Sequence, residues 1–131
     1  MEISAIMTTD LATVGPEYNV ADVARVMDAR GIGSVIVLED DRVLGILTER
    51  DILKVIGAGE DPKNVAAHEA LSDDLITIRP EASVEEAARE MVNAKVRHLP
   101  VISDEGLIGM VSMRDLEIGR ASCRERVLRL V

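Results

Sequence analysis

The sequence predicts an α+β fold made of two copies of one unit, each running strand, helix, strand, strand, helix. Three observations predict it. "LGILTERDIL" begins at Leu44 and "IGMVSMRDLE" at Ile108, so one short pattern recurs after 64 residues (108 − 44). The same shift aligns "DLATVGPEYNVADVARVM" (Asp10–Met27) with "DLITIRPEASVEEAAREM" (Asp74–Met91) without a gap, and continues through "SVIVLEDDRVLGILTERD" against "HLPVISDEGLIGMVSMRD". In both copies the apolar period changes from strand-like to helical and back at matching places, and an internal repeat of this length takes precedence over any other reading of the fold.

The elements follow in order. "TV" and "TI" are short β-branched runs, closed by Pro16 and Pro80. Val20, Val23, Ala24 and Met27 fall at helical spacing, with Asn19 placed to cap the start and Gly31 just past the end. In the second copy Ser83 takes the cap position, and Glu86 three residues on completes the pattern of a capping box. Met27 and Met91 recur at the same helix position and read as core. "SVIVL" and "RVLGIL" read as strands joined by "EDD" (Glu39–Asp41), a solvated turn; "HLPVI" and "LIGMV" are joined by "SDEG". A helix is expected from Thr48 to about Gly57. Residues 59–65 form a polar linker, and "AAHEALS" (Ala66–Ser72) is a short helical turn matching "SAIMT" near the N-terminus. The expected organisation is thus repeat 1 at 1–58, linker at 59–65 and repeat 2 at 66–116. Neither half is large enough to bury both faces of its sheet, so the two are expected to pack together.

Composition narrows the function. Hydrophobic residues are 47% of 131, yet the chain has no Phe, no Trp and one Tyr, which argues against recognition by aromatic stacking. A net charge of −9 disfavours nucleic acid held by a broad basic face. No apolar run reaches the ~18–20 residues that span a membrane. With a single cysteine, Cys123, the chain reads as cytoplasmic. Two histidines without a suitable cysteine give no metal site. His68 is expected at the surface. Ser34 and His98 align with each other, but no third group makes a catalytic set, so no enzyme activity is expected. Residues 117–131 break with the rest: "EIGRASCRERV" (Glu117–Val127) resembles an in-frame translated sequencing adapter, with a basic C-terminal helix as the alternative.

Together, "IMTTDLATVGPEYNV", "LGILTERD", "RHLPVISDEGLIGMVSMRD" and the repeat period resemble a tandem pair of CBS domains, a Bateman module, over residues 3–116. The resemblance implies a pseudo-twofold pair packed sheet to sheet, with two clefts between the repeats and frequent dimerisation. It also implies a regulatory role without catalysis, a partner protein of unknown identity, and an adenosine ligand such as AMP, ADP, ATP, NAD or S-adenosylmethionine. No further cofactor is implied.

The residues make such a ligand chemically reasonable. An aspartate at a helix start can accept both hydroxyls of a ribose, and Asp51 and Asp115 hold that place. Thr48 and Ser112 could donate to phosphate, aided by the helix N-terminus. Thr-x-x-Asp and Ser-x-x-Asp are also ordinary helix starts, in which the hydroxyl caps and the acid suits the dipole. Gly45 and Gly109 could admit a ligand or a neighbouring strand. The family pattern sets Arg97 and His98 beside Ser112 and Asp115 in the main cleft, with Ala12 and Ile32 of the opposite repeat against the purine. Gly33 and Ser34 accompany Thr48 and Asp51 in the second cleft, with Ile76 and Val96. The second cleft is therefore expected to be weaker, empty, or suited to a less charged adenosine compound. Arg50 is expected to pair with a surface carboxylate; Arg114 could reach phosphate or do the same. The alternative to ligand sensing is a module whose role is dimerisation or assembly.

Overall fold

The computed structural model describes residues 1–71 and 75–117. In chain order the elements are β1 (Thr13–Val14), α1 (Val20–Arg30), β2 (Ser34–Glu39), β3 (Arg42–Thr48), α2 (Glu49–Gly57), α3 (Ala67–Ala70), α4 (Val84–Ala94), β4 (His98–Ser103) and β5 (Gly106–Ser112). Residues 113–117 are helical. This is the expected α+β order, twice over. In the second copy the first strand is a single parallel bridge from Ile78 to Val101, where β1 pairs with β2 through Thr13–Ile36 and Val14–Val37. Cys123 and the arginine-rich tail lie outside the described residues.

Local chemistry accounts for the boundaries. The Asn19 side chain accepts a hydrogen bond from Asp22 N at 2.8 Å to start α1, and Gly31 ends it in the left-handed region at φ 63°. Ser83 starts α4 in the same way, accepting from Glu86 N at 3.0 Å. The expected capping box is half formed, because the exposed Glu86 side chain does not return to the Ser83 backbone. Two residues turn the first hairpin, Asp40 (φ 50°) and Asp41 (φ 66°), as tight β-hairpins require. Both hairpins slip register once, at Val37/Leu38 and at Val101/Ile102, which are 64 residues apart (101 − 37).

The packing units do not follow the repeats at their ends. Leu11–Leu75 forms the first-repeat unit, and residues 1–10 join the chain from Ile76 onward in the second-repeat unit. Backbone pairing holds the N-terminal segment there. Ile3 N donates to Ala82 O at 2.9 Å, and Thr8 and Met110 exchange hydrogen bonds of 2.8 and 2.9 Å. In the first-repeat unit the matching segment is α3, where Ala67 N donates to Tyr18 O at 2.6 Å. The expected linker also packs: Pro62–Asn64 makes a 3-10 turn, and Val65 is buried with Val20 and Val55.

Each unit has its own aliphatic core. Val14, Val23, Met27, Val35, Val37 and Leu47 fill the first-repeat unit. Ile3, Val84, Met91, Leu99, Val101 and Val111 fill the second. Met27 and Met91 are both core, as the repeat implies. Each fully buried aliphatic side chain contributes about 1.5–3 kcal/mol.

Candidate functional site

The hairpin register brings the predicted polar residues together within each unit. His98 opens β4 opposite Ser112, the last residue of β5, and Ser34 stands opposite Thr48 in the same way. The helix after each hairpin is tied back to the residue before it, Met113 N donating to Arg97 O at 2.9 Å and Glu49 N to Gly33 O at 3.1 Å. Arg97, His98, Ser112 and Asp115 therefore share one edge of the second-repeat unit. Gly33, Ser34, Thr48 and Asp51 share the equivalent edge of the first.

Both aspartates cap their helices. Asp51 Oδ2 accepts from Thr48 N at 2.9 Å and from the Thr48 hydroxyl at 3.0 Å, while Asp51 N donates to Thr48 Oγ1 at 3.4 Å. Asp115 Oδ2 accepts from Ser112 N at 2.9 Å, and Asp115 N donates to Ser112 Oγ at 3.1 Å. Capping does not saturate either carboxylate. Among the described residues Oδ1 of each has no hydrogen-bond partner, and no buried side-chain polar atom is left unsatisfied, so these Oδ1 edges reach solvent.

The hydroxyls differ. Thr48 donates its proton to Asp51, whereas the Ser112 hydroxyl only accepts within the described residues, leaving its proton available. The helix N-termini offer less than the sequence suggested. In each, the first amide is bound to the carbonyl of residue 33 or 97 and the third to the capping hydroxyl, which leaves mainly the amides of Arg50 and Arg114 for an anion.

Charge separates the two edges further. His98 is half-buried, and burial lowers its pKa below the ordinary imidazole value; Asp115 acts to raise it and Arg97 to lower it. Arg97 and Arg114 are exposed and form no ion pair among the described residues. Arg50 is the same, against the expectation that it pairs. Along α2 the positions three and four residues on are Leu53 and Lys54, so no acid stands at the helical spacing at which a partner could meet it.

Gly45 and Gly109 admit protein, not ligand. A β-carbon on Gly45 would stand 3.2 Å from Leu71 Cδ2, and one on Gly109 would stand 2.6 Å from Met7 Sδ and 3.0 Å from Thr8 O. Ala12 and Ile32 belong to the first-repeat unit, Ala12 buried in its core and Ile32 packed against it. Ile76 and Val96 pack against the core of the second-repeat unit. His68 is exposed.

Sequence reasoning passed over Glu49. Its Oε1 lies 3.1 Å from where a β-carbon on Gly33 would be, so this carboxylate lies over the position that Arg97 holds in the other copy. The signal was available: 64 residues on, the same position is Met113.

Known proteins share this fold. Residues 3–58 and 67–117 match the family described as CBS domain. The CBS domain-containing protein YhcV of Bacillus subtilis is 32% identical over 117 residues, covering 88% of this chain and 83% of that protein. Protein MK0525 of Methanopyrus kandleri is 36% identical over 119 residues, 88% of this chain; the match spans only 61% of that protein's length. A solved structure with CBS domains from Burkholderia ambifaria superposes with a TM-score of 0.87 at 28% identity, over 93% of this chain and 95% of the other. A hexameric CBS-CP12 protein from bloom-forming cyanobacteria superposes with a TM-score of 0.82 at 32% identity, over 88% of this chain and 66% of the other. Among the described residues no helix is long and apolar enough to cross a membrane. With the repeat, the paired hairpins and both family matches in agreement, this chain belongs to the CBS domain family as a tandem pair.

Proposed function

We propose that the chain is a cytoplasmic regulatory module that binds an adenosine nucleotide, AMP, ADP or ATP, at the Asp115 edge and performs no catalysis itself. One observation carries this reading: the free Oδ1 of Asp115 and the undonated Ser112 hydroxyl share an edge with Arg97 and His98. A carboxylate edge suits a ribose diol, and a guanidinium beside an imidazole suits phosphate. The Asp51 edge has an acid where a phosphate group would need donors, so it takes a less charged adenosine compound or none.

Thermal unfolding with AMP, ADP, ATP, NAD and S-adenosylmethionine tests the proposal. A ligand at 100 times its Kd adds about 2.7 kcal/mol. The gain should vanish in Arg97→Ala, whose exposed side chain leaves the cap intact, and in Asp115→Ala. A shift equal in wild type and Arg97→Ala would place the ligand elsewhere. No shift with any of the five would favour the second reading, an assembly module that self-associates. That reading draws on Leu53 and Ile56, which are 68% and 55% exposed on one face of α2, and on the hexameric state of the cyanobacterial relative.

A further inference from the structure

The first-repeat unit has a solvent-open hollow of about 490 Å³ between the last turn of α1 and the first turn of α2. Its apolar lining includes Met27, Ile32 and Ile52, and among the described residues its charged lining groups are Asp28 and Glu49. That volume falls within the ~300–1,000 Å³ typical of small-molecule sites, which are also mostly apolar with a few placed polar groups. We propose that this cavity binds a small organic cation, an ammonium, amidinium or guanidinium carried on an apolar body.

The two carboxylates are not needed elsewhere in the fold. Neither Asp28 nor Glu49 makes a side-chain ion pair or hydrogen bond among the described residues, although Arg25 lies on the same helix; Arg25 is held by Asp22 at 2.6 Å. Helix capping does not use them either, since Asp51 closes the box at the start of α2. Glu49 is nevertheless held in place. Its backbone N–H is bound to Gly33 O at 3.1 Å, and its Oε1 occupies space that a side chain at position 33 would contest.

The repeat supplies an internal comparison. Shifted by 64, Asp28 becomes Val92, Glu49 becomes Met113 and Gly31 becomes Lys95, while Met27, Ile32 and Ile52 become Met91, Val96 and Leu116. The apolar positions are kept, and the acids exist in one copy only. Two carboxylates over an apolar floor suit an organic cation better than a metal ion, because no group of three metal-ligating side chains forms among the described residues. The apolar body buries against Met27 and Ile52 while its charged end stays at the carboxylates.

Benzamidine and its neutral isostere benzamide test the proposal on the full chain, read by NMR shifts of the Met27, Ile32 and Ile52 methyl groups. Benzamidine should give saturable shifts at these methyls, and benzamide should not. The double variant Asp28→Asn, Glu49→Gln should weaken benzamidine by about tenfold, as expected for two partly solvated charge pairs. Both side chains are exposed, so the variant spectrum should otherwise overlay that of the wild type. Equal responses to the two probes, no saturable shift, or an affinity unchanged in the double variant would each overturn the proposal. The Met27 and Ile52 methyls and the double variant report independently of nucleotide binding at Asp115, to which only Ile32 among these residues was assigned.

Discussion

The two helix starts at Thr48–Asp51 and Ser112–Asp115 share a backbone and a cap but differ in what surrounds them. At the first, threonine gives its proton to the aspartate, the preceding residues bring no charge, and Glu49 lies over Gly33. At the second, the serine proton is available, and Arg97 and His98 stand at the same edge. The difference teaches that the capping box is common structure. Any ligand preference comes from three or four side chains around it, which a repeat can change without disturbing the hairpin.

The largest expected contrast tests whether the cavity belongs to one unit only. Met91 is 1% exposed within its core, whereas Met27, 5% exposed, lines the cavity. Met91→Ala should destabilise by about 2–5 kcal/mol, and Met27→Ala by less, because truncation there widens a space water already reaches. Urea unfolding of the two variants measures both; equal costs would mean that the two cores are packed alike.

The next contrast concerns ligand. With AMP, ADP or ATP at 100 times Kd, Asp115→Ala should lose the ~2.7 kcal/mol of stabilisation and Asp51→Ala should keep it. Without ligand the order reverses: each loses a cap costing about 0.5–2 kcal/mol, with Asp51→Ala the costlier, since Asp51 is buried and accepts two hydrogen bonds from Thr48 against one for Asp115. If both variants lose the ligand effect equally, the two edges are not distinct.

A smaller contrast separates the two glycines. Gly109→Ala must move both Met7 and the Thr8 carbonyl, and should cost about 1–3 kcal/mol by overpacking. Gly45→Ala meets the branched end of Leu71 at 3.2 and 3.3 Å, with no backbone atom as close, so its cost should be the lower in urea unfolding. A costlier Gly45→Ala would place the tighter contact in the first-repeat unit.

The smallest effect is a pH dependence present at one edge only. Burial lowers the His98 pKa from 6.5, so between its folded value and 6.5 the unfolded chain binds more protons. Stability from this group is therefore complete above about pH 6.5 and falls as the pH drops toward the folded value. His98→Gln should flatten that part of the wild-type profile, while Ser34 at the equivalent position contributes nothing to it. Phosphate beside His98 would raise its pKa again, so nucleotide binding should take up a proton and tighten as pH falls through 6.5, as calorimetry in buffers of different ionisation enthalpy would detect. An affinity flat with pH would remove His98 from the phosphate site.

Much of the fold could be read from residues alone because local chemistry sets it. Asn19 and Ser83 start their helices through side-chain oxygens, Gly31 ends α1 because without a β-carbon it takes the left-handed conformation, and the strands follow the β-branched runs. The polar edges were equally legible, since a hairpin of fixed register must bring position 98 to 112 and position 34 to 48. Capping by the Thr48 and Ser112 hydroxyls was foreseen as an alternative; that each aspartate also returns one carboxylate oxygen to the capping residue's amide, leaving the other open, was not. Glu49 went unseen because a first-turn glutamate looks like dipole chemistry until its contact with Gly33 is known.

By itself, then, the sequence determined the repeat, its elements and the residues gathered at each helix start, because these depend on contacts a few residues apart and on strand register. Only tertiary structure decided which segment lies on which unit. Met7 covers Gly109 and Leu71 covers Gly45, so the N-terminal residues complete the second copy and α3 completes the first. Short apolar segments such as "SAIMT" and "AAHEAL" carry no periodic signal of their partner. Their place is fixed by where an unpaired strand edge and a glycine leave room, which exists only once the rest has folded.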